Sequence, residues 1–271
     1  MKIKKLICKI INSNLFIEKQ YLHMFNKIDD KMHAFKIYGI KVRNNIINVK
    51  GKENILICGD DCSIQNNIIR IEGEKNTVEI GNNVELLGNG TQSIYILGNN
   101  NRIEIESNCI IRDTSFFITG NNNLIHISKD FSGIAVEFHL EQNDNEIKIG
   151  EGTTMHGRGT RTVHIALDEG TKVLIDEDCM FSNDIQIRSS DSHSIVDSDG
   201  NRLNPAKDIK IGKHCWLGMR CMLMKGTNIP DFTVVAAGSI CTKPFEESNT
   251  ILAGVPAKVV KKSVSWDRKF L

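Results

Sequence analysis

Proline and large aromatic residues are scarce in this chain of 271 residues: four prolines, three tyrosines, two tryptophans, and aromatics at 6% in all. A core built on large rings is therefore disfavoured, and the abundant Ile and Val suit a narrow aliphatic interior. Charge of one sign is not in excess. The net charge of +1 carries no global signature for nucleic acid or a membrane surface. No run of about 18 apolar residues exists, so no transmembrane span is indicated. The eight cysteines contain no CxxC pair. Cys109, Cys179, Cys215 and Cys221 fall where a compact apolar filler is wanted, which sets aside a disulfide framework and a zinc–thiolate site. The basic, apolar start MKIKKLICKIINSNLFIEK is broken by Lys9, Asn12 and Asn14, with no small-x-small cleavage pattern before Glu18. A cytoplasmic protein is expected, with membrane contact at most peripheral.

What the chain does have is a period of six. IGKHCW, LGMRCM, LMKGTN, IPDFTV and VAAGSI follow one another without a gap, opened by Ile211, Leu217, Leu223, Ile229 and Val235. The fifth member of each is small: Cys215, Cys221, Thr227, Thr233 and Ser239. Six fits neither the helix period of 3.6 nor the strand period of 2. It fits a three-sided parallel β-helix in which each hexad forms one side of a coil. A looser form precedes it. VEIGNN, IEIESN, IHISKD, IKIGEG and VLIDED place Ile80, Ile105, Ile127, Ile149 and Ile175 at separations of 25, 22, 22 and 26 residues. Three hexads need 18, so each coil carries a few extra residues. The runs GNNN at Gly98 and Gly120, and EQNDN around Asn143, supply them as turns, where Gly and Asn tolerate positive φ.

These patterns predict an all-β solenoid over residues 47–242, a partly helical cap over 1–46, and a closing segment over 243–271 with a short helix or arm near Ser263 to Leu271. Ile3, Leu6, Ile10 and Phe16 or Ile17 recur at helical spacing, so the stretch from Lys2 to about His33 reads as an amphipathic helix, either capping the solenoid or touching a membrane or partner. The hexad rhythm is suspended over residues 188–208, where RSSDSHSIVDSDGNRLNPAKD forms a polar inserted loop. An ordered solenoid that ejects such a loop usually uses it. His193 lies near its start and Trp216 lies 23 residues on, so a coil-to-coil relation would bring them into one cleft. A histidine there can take a proton from an acceptor hydroxyl or amine, with Asp191, Asp197 or a backbone carbonyl holding its other nitrogen. Arg158, Arg161, Arg188 and Arg202 lie before or within the loop and suit the carboxylate of an acidic saccharide, or are ordinary surface arginines.

With DSHSI, NPAKDIKIGKHCWLG, VVAAGSICTK and AGVPAK in view, the chain resembles the hexapeptide-repeat acyltransferases over about residues 149–262. It is most similar to capsule and polysialic acid-type sugar O-acetyltransferases. The resemblance implies a left-handed β-helix and acetyl transfer from acetyl-CoA to a sugar hydroxyl, in a homotrimer with clefts shared between subunits, without metal or nucleic acid. It implies His193 as catalytic base, Trp216 as a wall of the cleft, and the amide near Met219 as oxyanion donor. Ala237 matches a contact to the pantetheine arm. Thr242, Lys243 and Lys258 match positions facing the phosphates of coenzyme A, and the two lysines suit that anionic end on charge alone. Arg161, Arg188, Asp191 and Arg202 are the acceptor candidates. Cys215 and Cys221 depart from the Val or Ala common in the family, and the long irregular N-terminal half departs from its pattern. N-acetylation of an amino sugar and acetylation of a xenobiotic remain as alternatives on the same machinery. A zinc hydratase using His156, His164 and His193, or a purely structural solenoid, are rivals of a different class.

Overall fold

The computed structural model describes residues 27–29 and 34–269. Strands wind into a parallel solenoid with three faces. The first face is a ten-stranded sheet running from Lys27–Asp29 through Val163–Leu167 and Ile185–Arg188 to Ile240–Cys241. The second and third faces form one eighteen-stranded sheet, because Ala34–Arg43 and Ile55–Gln65 bend across the corner between them. Within the stack each strand pairs in parallel with the strands one coil above and below, at a spacing of about 4.8 Å; of the described strands only the closing hairpin is antiparallel.

The register places like residues in columns through the bore. Ile80, Ile105, Ile127, Ile149, Ile175, Ile211 and Ile229 stack in turn on the second face. Leu86, Ile111, Gly133, Met155, Phe181, Leu217 and Val235 do so on the third. Phe116, Phe138, Ile165, Ile187 and Leu223 do so on the first. Every residue in these columns is buried, Gly133 included. Each such aliphatic side chain contributes about 1.5–3 kcal/mol on burial. Gly133 is the gap in its column that the Phe131 ring fills; a Cβ there would sit 2.5 Å from that ring. The five strict hexads are therefore successive sides of the last coils, as their period predicts.

The corners explain the remaining hexad positions. The fourth member has positive φ in all five: His214 51°, Arg220 61°, Gly226 78°, Phe232 56° and Gly238 74°. The small fifth member is wholly buried against the next coil, where Cys179 Sγ donates to Gly212 O at 3.1 Å and Cys215 Sγ to Pro230 O at 3.1 Å. Cysteine here acts as a small filler with a weak donor. Burial pushes the Cys221 thiol up to about 11 and the Cys241 thiol up to about 12, away from reactivity.

Asparagine does more than turn the chain. At the corner between the first and second faces, Asn54, Asn76, Asn101, Asn123 and Asn145 form a buried ladder. Asn123 donates from its backbone N and from Nδ2 to Asn101 Oδ1 (both 3.0 Å), and from Nδ2 to Gln142 O (2.9 Å). Its own Oδ1 accepts from Asn145 N and Nδ2 (3.0 and 2.9 Å). The ladder ends at Thr171, whose N donates to Asn145 Oδ1 at 3.1 Å. The inserted loop leaves the solenoid from this same corner on the next coil.

Two boundaries differ from expectation. Lys27–Asp29 and Ala34–Arg43 are solenoid strands, so regular structure starts ahead of residue 47 and part of the expected helical stretch is extended. AFKIYGIKVR alternates apolar and polar at both ends, a strand period. The rest of the proposed amphipathic helix, Lys2 to Asn26 and residues 30–33, lies outside the described residues. At the other end, Thr250–Gly254 adds a further parallel strand beyond residue 242 and turns back as an antiparallel hairpin with Ala257–Lys262. The closing segment is thus a hairpin and an extended tail without a helix over Ser263 to Lys269. No helix among the described residues is long and apolar enough to cross a membrane.

Replacing Asn123 by Ala strands the buried Asn145 amide and breaks the ladder on both sides. The expected loss is about 3 kcal/mol of stability, taking about 1–3 kcal/mol for each orphaned buried group. It would be read as a lower urea midpoint at unchanged m-value.

Candidate active site

The inserted loop joins Ile185–Arg188 on the first face to Ile209–Ile211 on the second. Its ordering is centred on Asn204, which is nearly buried at 6% exposure. Asn204 Oδ1 accepts from Ile195 N (2.6 Å), and Nδ2 donates to Asp191 Oδ2 (2.7 Å) and to His193 O (2.8 Å). Lys225, one coil on, donates to Asp191 and to Asn204 O (3.1 Å). Arg202 forks onto Glu169, with Nη1 to Oε2 at 2.8 Å and Nη2 to Oε1 at 2.5 Å. A small antiparallel bridge, Val196 with Arg202, closes the tip.

His193 is held through its backbone, while its ring is exposed and has no hydrogen-bond partner among the described residues. Neither carboxylate expected to orient it does so. Asp191 is spent on Lys225 and Asn204, and Asp197 caps its own turn by accepting from Asp199 N (2.9 Å) and Asn201 N (2.8 Å). Asp191 and Arg202, expected at the acceptor, serve as loop anchors. The Lys225 ammonium beside Asp191, then Asn204, hold that carboxyl below its usual range. The Arg202 guanidinium does the same for Glu169.

Arg188 donates to Ser192 Oγ (3.2 Å) and lines a surface pocket beside the loop with His139, His164, Asp168 and Ser190. Burial holds the His164 imidazole below its usual range and pushes the Asp168 carboxyl up. Arg161 lies elsewhere, in a small hairpin with Arg158 closed by reciprocal backbone bonds of 2.9 and 3.0 Å. Arg158 borders a second groove with Gly88, Asp113 and Glu137, at the corner between the third and first faces. His156, His164 and His193 sit on the third face, the first face and the loop, and no group with metal-holding geometry occurs among the described residues.

Trp216 opens the third-face strand Trp216–Leu217 and is 38% exposed. Within one chain it does not meet His193, because the loop leaves one corner and Trp216 stands at the next. Met219 follows that strand on the third corner, where Gly238 N donates to Met219 O at 2.8 Å. Corner amides are commonly capped by a side chain from the adjoining coil: Lys213 N donates to Asp231 Oδ1 (3.1 Å), and Asn99 N to Asn121 Oδ1 (2.9 Å). Six residues beyond Lys213 and Asp231 stand Met219 and Ala237, and alanine has no acceptor to offer. The Met219 N–H has no partner among the described residues, and neither has the amide of Asn183 or Ala237 at the same corner one coil to either side. Gly218 allows this close corner, since a Cβ on it would lie 2.7 Å from Ala237 N. Ala237, Thr242, Lys243 and Lys258 are all exposed, with Lys258 on the closing hairpin beside this corner. The loop anchors Glu169, Asn204 and Lys225 were missed because long sequence separations hide them; the NP pair at Asn204 and Pro205 was their single visible trace.

Comparison with known proteins agrees with this architecture. No protein-family model matches the chain. It is 36% identical over 184 residues to the polysialic acid O-acetyltransferase of Neisseria meningitidis, spanning 68% of this chain and 82% of the relative. It is 34% identical over 125 residues to the polysialic acid O-acetyltransferase of Escherichia coli O1:K1, spanning 46% and 39%. The crystal structure of the polySia-specific acetyltransferase NeuO superposes with a TM-score of 0.57 at 27% identity, over 88% of this chain and 83% of that one. The solenoid fold and the 36% identity to the meningococcal enzyme place the chain among the hexapeptide-repeat acyltransferases. Within that class the chain belongs to the sugar O-acetyltransferases, and it is an O-acetyltransferase.

Asn204→Ala should leave the solenoid folded while releasing the segment that carries His193. The expected result is a fall in kcat of about 10²-fold, the order associated with ångström-scale misplacement of a reacting group, at a nearly unchanged melting temperature. The anchoring carboxyls Asp191 and Glu169 titrate below their usual range when folded. Their stabilisation is therefore complete above that range and is lost as pH falls through the depressed values. Exchange of loop amides, corrected for intrinsic rate, should accelerate only below about pH 4, the ordinary carboxylate value.

Proposed function

We propose that the chain moves an acetyl group from acetyl-CoA to a hydroxyl of an acidic cell-surface sugar, with sialic acid polymers as the leading acceptor class. The unpartnered Met219 amide, on an exposed corner beside Ala237, carries the reading of the donor side. The acceptor class is supported by the activities for which the two relatives are named.

His193 acts as general base. As the sugar oxygen attacks the thioester carbonyl, the imidazole takes the hydroxyl proton. The Met219 N–H donates to the oxygen that becomes negative, an arrangement that requires no particular side chain. When the carbon–sulfur bond breaks, the proton on His193 passes to the departing sulfur, leaving an acetyl ester and the free thiol of coenzyme A. Thr242, Lys243 and Lys258 meet the phosphates, and Arg188 in the pocket beside the loop meets the acceptor carboxylate. His193, Trp216 and Met219 stand on three different corners of one chain. A cleft between copies of a homotrimer supports their meeting, with the loop of one chain reaching the corner of its neighbour.

The test is acetyl-CoA consumption against polysialic acid, neutral glycans, amino sugars and small xenobiotic acceptors. Turnover with the acidic polymer, lost by about 10²–10⁴-fold in His193→Ala at unchanged assembly, is the expected outcome. Full activity of that variant, or turnover confined to an amine acceptor, contradicts the assignment.

A further inference from the structure

Beyond the closing hairpin the chain turns back along the solenoid. Val264 N donates to Asn249 O at 3.0 Å, and Asn249 Nδ2 to Val264 O at 3.3 Å. The Trp266 ring then lies flat on the His214 imidazole, with centroids 4.4 Å apart and planes 15° from parallel, and its Nε1 donates to His214 O at 2.8 Å. Arg268 packs over the same indole at 5.4 Å. Its guanidinium donates to Asp178 Oδ1 (3.0 and 3.1 Å), Thr154 Oγ1 (3.0 Å) and Cys179 O (3.1 Å). Thr154, Asp178 and His214 belong to three successive coils, so this tail straps them together.

His214 is the centre of the strap. Its Nδ1 lies 2.6 Å from Asp178 Oδ2 and its Nε2 lies 3.1 Å from Trp266 O. The imidazole thus bridges the Asp178 carboxylate and the tail backbone. Burial pushes the Asp178 carboxyl up, but the hydrogen bonds from His214 and Arg268 outweigh it and hold the group below its usual range. Lys213 next door is turned away over the Phe232 ring at 5.7 Å, and Glu177 meets His214 only through its backbone carbonyl. On the outer side of the strap, Trp266 stands beside Trp216, with ring centroids 6.0 Å apart. Nothing in the hexad pattern calls for an aromatic residue at this point of the tail.

We propose that the C-terminal strap is a positioning device for acetyl-CoA binding: Arg268 and His214 hold Trp266 against Trp216, and the two indoles together form one wall of the donor cleft. This rests on the reading that Trp216 lines that cleft. Trp266 touches no reacting atom in this scheme; it completes the wall beside Trp216 and holds that ring in place.

Only two tryptophans exist in the chain, which makes the pair its own reporter. In the full-length protein, Trp266→Ala and Arg268→Ala should each raise the KM for acetyl-CoA about tenfold with kcat within about twofold, the pattern of lost uniform binding. Arg268→Lys, which keeps charge but not the fork, should fall between. In the Trp266→Phe background emission comes from Trp216 alone, and adding Arg268→Ala should shift it to the red as the strap releases. A variant ending at Lys262 should reproduce the Arg268→Ala kinetics if point variants fold poorly. An unchanged KM in both alanine variants of an active enzyme overturns the proposal, as does unchanged Trp216 emission. If the wild type consumes no acetyl-CoA, the functional reading fails by itself, and the emission experiment still decides whether the strap sets the surroundings of Trp216.

Discussion

Every part of this molecule depends on the coil-to-coil hydrogen-bond ladder. Each strand is bonded in register to the one a full coil away, so each residue has a fixed neighbour above and below. That constraint turns a sequence repeat into columns. Aliphatic residues column in the bore, small residues column at the corners, and asparagines column where a buried side chain must satisfy both itself and the adjoining backbone. A substitution is therefore felt along a column before it is felt across the bore, because the stacking direction carries the hydrogen bonds.

The functional features are places where a column is interrupted. The asparagine ladder ends at Thr171, and the loop bearing His193 leaves from that corner one coil later. At the corner after the third face the Met219 amide has no partner among the described residues. The tail returns across three coils and stacks Trp266 on His214. A regular solenoid has all its backbone groups satisfied and offers nothing to a substrate. Chemistry needs a donor, a base and a shaped surface, and the proposed ones lie where the repeat is interrupted or ends.

Sequence patterning was legible wherever an interaction repeats. The hexads at Ile211 to Val235 mapped one by one onto faces, and Ile80 to Ile175 proved to be a single column. The buried cysteines sat at small-residue positions as their place in the hexad implied. Reading failed where an element lacks neighbours of its own kind. The strands before residue 47 and the hairpin after residue 242 are ends of the stack, with weaker periodicity. Charge in a polar loop suggests a ligand, and its pattern did not reveal that Asp191 and Arg202 also pin the loop to Lys225 and Glu169.

The sequence by itself determined the solenoid, its three-sided coil and the site of its interruption. Those follow from local periodicity, and each coil buries its apolar residues against a near copy of itself. Tertiary structure alone decided which charges anchor the loop, which corner amides stay free, and where Trp266 comes to rest. Those depend on pairs such as Glu169 with Arg202 and His214 with Trp266, far apart in the chain and brought together only after the coils have stacked. A period records what lies one coil away; it carries no record of contacts that a loop or a tail makes only once.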